Sequence, residues 1–227
     1  MRFTFYGHAC FAIETGDKHI LFDPFITPNE LAKDIDVNSI KADYVLLSHG
    51  HDDHIVDALT IAKNNDATIV SNFEIVSWYG SKGYTKGHPM NHGGQWTFDF
   101  GKVKYVNAVH SSVLPDGSYG GNPGGFIVDA VGDATFYYAG DTALHMDMKL
   151  IPMWAKLNFA VLPIGDNFTM GIEDALVAAE FIECDHIIGV HYDTFGYIKI
   201  DHEKAKAAFA AKGKKLSLLG IGESLDF

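Results

Sequence analysis

Apolar and polar positions change period repeatedly along the chain, and those changes mark its elements. Phe3 to Tyr6, Cys10 to Glu14 and His19 to Phe22 are short alternating or apolar runs separated by Gly7 and by Gly16-Asp17, the pattern of three antiparallel strands in a meander. Asp23-Pro24 stops the third, and Pro28 to Asn38 is a mixed helix or loop. Tyr44 to Leu47 predicts a central strand. A polar break, Ser48 to His54, separates it from helical spacing over Ile55 to Lys63, stopped by Asn64-Asn65. A strand over Ala67 to Ser71 and a helix over Asn72 to Tyr79 follow, with Asn72 as N-cap and Gly80 as the close. Gly87 to Gly94 reads as a loop carrying two surface histidines, His88 and His92.

Farther on, Trp96 to Phe100 and Lys102 to Val109 pair across Gly101, and Phe126 to Val131 pairs with Ala134 to Ala139 around Gly132-Asp133. A helix over Ala143 to Leu150, capped by Thr142, leads to a strand over Phe159 to Pro163, an amphipathic helix over Ile172 to Glu183 and a strand over Ile187 to Val190. The last helix starts at Asp201-His202-Glu203, with His202 solvated, and Gly213 stops it before a strand around Leu216 to Leu219. Two halves, divided near residue 130, each run from strands into βα units. This predicts an α/β fold with two sheets sandwiched between helices, a four-layer αββα sandwich, in a single domain over residues 1–227.

Composition narrows the function classes. Hydrophobic residues make up 47% of the 227 and aromatic ones 13%, which supplies a sizeable core. Seventeen basic against twenty-nine acidic residues leave a net charge of −12, which repels polyanions and makes nucleic acid an unfavourable partner. Cys10 and Cys184 are too few for a disulfide scaffold and form no C-x-x-C pair. No apolar run is long enough to cross a bilayer, and Met1 to Gly7 alternates like a strand rather than reading as a signal peptide, so the cytoplasm is the expected compartment.

The chemistry concentrates in Ser48-His49-Gly50-His51-Asp52-Asp53-His54. Three imidazoles and two carboxylates so close to a strand end would carry a large desolvation cost if buried unpaired, and a metal ion resolves that conflict. Gly50 lets the chain bend so that His49 and His51 converge on one ion, while Asp53 and His54 lie farther round the turn, where a second could sit. Other strand ends carry ligand-type residues: Asp23, His110, Asp141 and His191. Taken singly, Asp23 reads equally as a turn residue, His110 as a polar strand end and Asp141 as a helix cap, although Thr142 suits that cap better. His8, a single loop histidine between two strands, reads by itself as a hydrogen-bonded structural residue, and His145 is expected at the surface.

The H-x-H-x-D-H spacing resembles the signature of the metallo-β-lactamase superfamily. Gly7-His8-Ala9-Cys10-Phe11, Asp23-Pro24-Phe25, Asn167-Phe168-Thr169-Met170-Gly171 and His191-Tyr192-Asp193-Thr194-Phe195 are most similar to the UPF0173 metal-dependent hydrolase group, related to the ascorbate-phosphate lactonase branch. The resemblance spans nearly the whole chain. It implies that His49, His51 and His110 hold one metal, that Asp53, His54 and His191 hold another, and that Asp141 bridges them. Asp23 is then a hydrogen-bond acceptor behind a ligand histidine, and His8 a candidate to line the metal cleft. Zinc suits this donor set, with manganese or iron also acceptable.

The implied activity is that of a dinuclear metal-dependent hydrolase that uses a metal-bound hydroxide on a small ester, lactone, amide or phosphoester. Asp53 would orient the nucleophile and accept its proton, with His54 beside it. Asn167, Phe168 and Thr169 are expected to line the cleft, because their loop follows a strand whose neighbours end in ligands; Tyr192 and Asp193 are weaker candidates of the same kind. A small-molecule substrate is the expected partner, and oligomeric state is left open. The alternatives are an RNA nuclease or phosphodiesterase of the same fold, a di-iron oxidoreductase on the same frame, and a structural metal staple.

Overall fold

In the computed structural model, which describes all 227 residues, fourteen strands form two seven-stranded sheets. The chain begins with β1 (Arg2–Gly7), β2 (Cys10–Thr15), β3 (Lys18–Phe22) and β4 (Tyr44–Leu46). Helices α1 (Asp52–Ile55) and α2 (Ala58–Asn65), strand β5 (Thr68–Asn72), helix α3 (Phe73–Ser81) and strand β6 (Gly87–Met90) follow. Next come β7 (Gln95–Phe98), β8 (Gly101–Asn107), β9 (Gly124–Ala130), β10 (Thr135–Tyr138), α4 (Ile151–Trp154) and β11 (Phe159–Pro163). The chain closes with α5 (Ile172–Phe181), β12 (His186–Val190), α6 (His202–Ala211), β13 (Lys215–Ser217) and β14 (Ser224–Asp226). The sheet orders are β14-β1-β2-β3-β4-β5-β6 and β13-β12-β11-β10-β9-β8-β7.

Strand alternation sorts side chains onto the two faces of each sheet. Phe3, Phe11, Phe22 and Leu46 of the first sheet meet Phe126, Phe136, Tyr138 and Phe159 of the second in a core between the sheets. Phe11 stacks on both Phe3 and Phe22, at ring separations of 4.7 and 4.5 Å. The opposite faces carry Leu21, Val45 and Ile69 against Ile61 and Ile75 of the helices, and Ala160, Leu162 and Ile187 against Ala175, Ala179 and Phe209. The result is the four-layer αββα sandwich.

Pairing direction delivers the site. β3, β4 and β5 are parallel, and β1 runs with β3 because each is antiparallel to β2. In the second sheet β10, β11 and β12 are parallel, and β8 runs with β10 because each is antiparallel to β9. The carboxyl ends of β1, β3, β4, β8, β10 and β12 therefore lead into His8, Asp23, His49, His110, Asp141 and His191, the edge at which α/β sheets collect ligands.

Several expected elements differ. Gly87 to Gly94 is not all loop: Gly87–Met90 is an edge strand, where Pro89 is tolerated because its missing N–H faces no neighbour. The helix expected over Ile55 to Lys63 is two helices broken at Val56-Asp57, because the Asp57 carboxylate turns inward to accept from Ile26 N, Thr27 N and Thr27 Oγ1 at 2.6–2.8 Å. Of the helix expected over Ala143 to Leu150, only Met146–Leu150 is helical, as a 3-10 turn leading into α4. Ala143 N bonds Val109 O, and Thr142 Oγ1 accepts from Val109 N instead of capping, so this backbone is tied sideways to the segment after β8. The division between sheets falls between β6 and β7, not near residue 130, and β14 crosses back to pair with β1, with Phe3 opposite Leu225.

Candidate metal centre

The H-x-H-x-D-H motif spans the end of one element and the start of the next. His51 is the N-cap residue of α1, and Asp52 and Asp53 occupy its first turn, where their charge complements the helix dipole. Gly50 does not adopt a left-handed turn. Its role is close approach: a Cβ there would meet Ser112 Oγ and the Val113 carbonyl at 3.3 Å, and its N–H donates to Ser112 Oγ. Three site residues do take left-handed backbone, His8 (φ +55°), Asp23 (φ +40°) and His191 (φ +56°), a conformation that costs non-glycine residues free energy and concentrates at functional sites.

These residues converge. The side chains of His49, His51 and His110 form one group of potential ligand atoms, and those of His8, Asp53, His54 and His191 form another. Asp141 lies between them, its Oδ2 3.0 Å from His191 Nε2, 3.3 Å from His54 Nε2, 3.7 Å from His110 Nε2 and 4.0 Å from His49 Nε2. Asp53 Oδ2 is 3.9 Å from both His54 Nε2 and His191 Nε2. Two buried polar atoms in the cluster, His54 Nε2 and Asp141 Oδ1, have no hydrogen-bond partner, and neither has His191 Nδ1. Such orphans are costly unless a cation or water completes them.

Asp23 is fully buried behind the cluster. Its carboxylate accepts from Ser48 N (2.8 Å), Ser48 Oγ (2.5 Å), His54 Nδ1 (2.8 Å) and Tyr138 Oη (2.6 Å). A carboxylate only accepts, so the Ser48 hydroxyl proton is committed to Asp23 and Ser48 Oγ is left to accept from His49 Nδ1, 2.9 Å away. One buried carboxylate thus sets both tautomers: His49 and His54 carry their protons on Nδ1 and turn their Nε2 lone pairs toward the cluster. His49 Nε2 in turn faces His51 Nδ1 at 2.9 Å, while His51 Nε2 approaches Ser111 Oγ at 3.3 Å. Two imidazole lone pairs so close repel unless a proton or a cation lies between them, and a divalent ion satisfies both rings as acceptors.

Charge arguments agree with this donor set. Burial holds His49 well below its ordinary range and lowers His51 and His110 as well, keeping these rings neutral and able to ligate. At Asp141 burial opposes ionisation, but the pull of His191 and His54 prevails and holds the carboxyl well below its usual range. At Asp53, too, burial is outweighed, by His54 and by the hydrogen bond from His8. His54 is lifted above its usual range: burial resists, yet the charges of Asp141 and Asp53 and the hydrogen bond to Asp23 overcome it. The space between the carboxylates therefore favours positive charge.

His8 is 2% exposed, with Nε2 3.0 Å from Asp53 Oδ2 and Nδ1 2.9 Å from Thr194 Oγ1. Burial lowers it to about 4, so the neutral ring donates from Nε2 and accepts the Thr194 hydroxyl at Nδ1. Of the expected cleft residues, Phe168 lines the cavity above the cluster and Asn167 and Thr169 do not. Asn167 is an exposed turn residue in left-handed conformation, and Thr169 Oγ1 bonds the Met170 carbonyl. Tyr192 is also not in the lining: it is buried in the core beneath the second sheet and stacks on Phe5. Asp193 accepts from His202 Nε2 at 2.6 Å, so His202 is paired rather than merely solvated. His145 is not a free surface residue; both ring nitrogens are buried without partners, beside a separate cavity of about 230 Å³.

Ser48, Ser111, Tyr138, Thr194, Phe195 and Tyr197 escaped the sequence reading. Phe195 and Tyr197 follow His191 closely in the chain and had a findable signal, a loop leaving a ligand-bearing strand. Tyr138 had none, since strand alternation makes it look like any core aromatic.

The family described as "Beta-lactamase superfamily domain" matches residues 2–191. UPF0173 metal-dependent hydrolases from Christiangramia forsetii and Flavobacterium johnsoniae are 64% and 62% identical to this chain, with full coverage of both sequences in each case. Among solved structures, Igni18, a metallo hydrolase from the archaeon Ignicoccus hospitalis, is 33% identical and superposes with a TM-score of 0.89 over 100% of this chain and 98% of its own. With its histidines and carboxylates gathered at one sheet edge and relatives of this similarity over its full length, the chain belongs to the UPF0173 metal-dependent hydrolases of the beta-lactamase superfamily.

Proposed function

We propose that the enzyme is a dinuclear hydrolase of a small ester, lactone, amide or phosphoester, with one divalent cation held by His49, His51 and His110, a second by Asp53, His54 and His191, and Asp141 shared between them. The observation that carries this reading is the position of Asp141 Oδ2, within 4.0 Å of imidazole nitrogens from both groups. When bound, such cations supply Lewis acidity, polarising the electrophilic oxygen of the substrate and lowering the pKa of an attacking water. Imidazoles with carboxylates suit zinc, and manganese or iron are compatible with the same donors.

The protein's own groups do the remaining work. Asp23, acting directly on His54 and through Ser48 on His49, fixes the rings so that lone pairs face inward. His8 holds one oxygen of Asp53, leaving the carboxylate to orient water and take its proton. A net charge of −12 disfavours RNA, which supports a small-molecule substrate. Two unpaired, buried cysteines fit a reducing compartment such as the cytoplasm, and no helix is long and apolar enough to cross a membrane.

The test is elemental analysis of purified protein, then assays of lactones, thioesters, phosphodiesters and β-lactams with and without chelator. Two metals per chain and chelator-sensitive turnover are expected. Metal-replete protein that turns over no class overturns the hydrolase reading, and two irons with oxygen consumption replace it by the oxidoreductase.

A further inference from the structure

We infer that the substrate is an uncharged acyl compound with an aromatic or aliphatic substituent, and that Phe168, Phe195 and Tyr197 seat that substituent; this rests on the hydrolase reading above. The cavity over the cluster measures about 600 Å³, and apart from the cluster itself its walls are Ser111, Phe168, Phe195, Gly196 and Tyr197. Neither lysine nor arginine lines it. Phe168 is 51% and Tyr197 79% exposed, and their rings meet edge to face at 6.2 Å. Phe195 packs against His8 at 5.2 Å. Single exposed aromatics are unremarkable, but three at the mouth of one cavity above a reactive floor form an apolar patch of the kind that marks binding sites.

The rings are held out by their backbone. Asp166 and Asn167 are both left-handed, with φ of +63° and +56°; Asp166 Oδ1 accepts from Asn167 N, and Met170 N bonds Thr142 O. That fixes the turn from which Phe168 projects. Tyr197 sits on a short helical turn, Gly196–Ile198, whose Ile198 is fully buried and whose carbonyl accepts from Asp193 N. Both rings are thus presented by anchored loops rather than by free chain ends.

Charge completes the argument. The floor residues His51, Asp53, His110, Asp141 and His191 would hold any cation at the reacting atoms, whereas a carboxylate or phosphate on the substituent would face ring surfaces with no cationic side chain to pair it, in a protein of net charge −12. Phosphomonoesters, which bring extra anionic charge, are disfavoured against neutral acyl compounds for the same reason. In the ester case the water oxygen bonds to the acyl carbon and the carbon–oxygen bond breaks with its electron pair on the leaving oxygen. That oxygen takes one water proton, and the products are an acid and an alcohol.

Hydrolysis of 4-nitrophenyl acetate, phenylacetate, hemisuccinate and phosphate by the protein with its bound metal tests this, each rate divided by that of the same compound with hydroxide alone. Phenylacetate is expected to exceed acetate in kcat/KM by about tenfold or more, since each buried methylene contributes roughly fourfold, and hemisuccinate and phosphate should fall below acetate. The double variant Phe168→Ala/Tyr197→Ala, which alters only exposed rings, should cut the phenylacetate-to-acetate ratio at least threefold. Preference for hemisuccinate or phosphate, or an unchanged ratio in the double variant, overturns the inference. Binding of phenylacetamide, followed by saturation-transfer NMR, separates it from the hydrolase reading. If no ester is cleaved but phenylacetamide binds and the double variant loses it, the aromatic seat stands and the hydrolase reading fails; if phenylacetamide does not bind, the seat is refuted.

Discussion

Asp23 and His54 are both fully buried and meet at 2.8 Å, with the histidine Nδ1 proton directed to the carboxylate and Nε2 left without a partner. The pair fixes which nitrogen of His54 is available to a metal before any metal arrives. Because Ser48 extends the same carboxylate to His49, the two groups of potential ligands share one anchor.

Asp23→Asn should therefore weaken both positions together. An amide keeps only one of the two acceptor oxygens and turns its NH2 toward either Ser48 N or the donors Ser48 Oγ, His54 Nδ1 and Tyr138 Oη, so metal affinity should fall by about 10- to 100-fold. Tyr138→Phe removes only one donor to Asp23 and should cost about 1–3 kcal/mol of stability. It should keep the metals. Competition with a chromophoric chelator, alongside urea unfolding, separates the two variants; equal metal affinity in wild type and Asp23→Asn would refute the anchor.

Asp141→Asn removes the negative charge that lies between the two groups. At least one metal per chain should be lost, and turnover should fall by orders of magnitude. A capping role cannot account for such a loss, since no helix begins at Thr142. Mass spectrometry of native protein reads the outcome, and a full metal complement in folded Asp141→Asn would show that the carboxylate is not shared.

His8 makes a prediction about pH in the chelator-treated protein. Its folded pKa is depressed to about 4 by burial, then by His191, against about 6.5 in an unfolded chain. Between those values the unfolded state binds the extra proton, so stability is intact above pH 6.5 and is lost as pH falls toward 4. The shift corresponds to about 3 kcal/mol. His8→Gln, which keeps an N–H for Asp53, should lose less stability across that window than wild type. Parallel losses in both proteins, measured by urea midpoints at a series of pH values, would assign the effect to other groups.

Gly165→Ala tests how tightly His191 is held. A Cβ at Gly165 would overlap the His191 carbonyl oxygen, so the strand end after β12 must shift. Overpacking of this kind costs about 1–3 kcal/mol. On the proposed two-metal assignment, binding at Asp53, His54 and His191 should weaken more than binding at His49, His51 and His110, because His191 belongs to the former group. Unchanged metal stoichiometry and affinity in the variant would show that the loop yields without moving the ligand.

What the sequence by itself determined was local. Strand alternation and helix spacing located most elements, since burial on one face imposes a period that any reader of the chain can find. The H-x-H-x-D-H run marked the site because five polar groups in so short a stretch demand partners. Where local signals were weak, the reading failed: β6 contains a proline, β14 has one apolar residue in three, and the segment after Asp141 spends its hydrogen bonds on Val109 rather than on a helix.

Only the tertiary structure decided who touches whom. Asp23 and Tyr138 are 115 residues apart, His8 and Thr194 are 186 apart, and no period along the chain encodes either contact. They exist because the directions of β1, β3, β4, β8, β10 and β12 send six strand ends to one edge. The same convergence sorted the loop 164–171, turning Phe168 toward the cavity while Asn167 shapes the turn and Thr169 bonds backbone. Residue type limits the chemistry a side chain can perform; the closing of two sheets on one core determines which side chains perform it together.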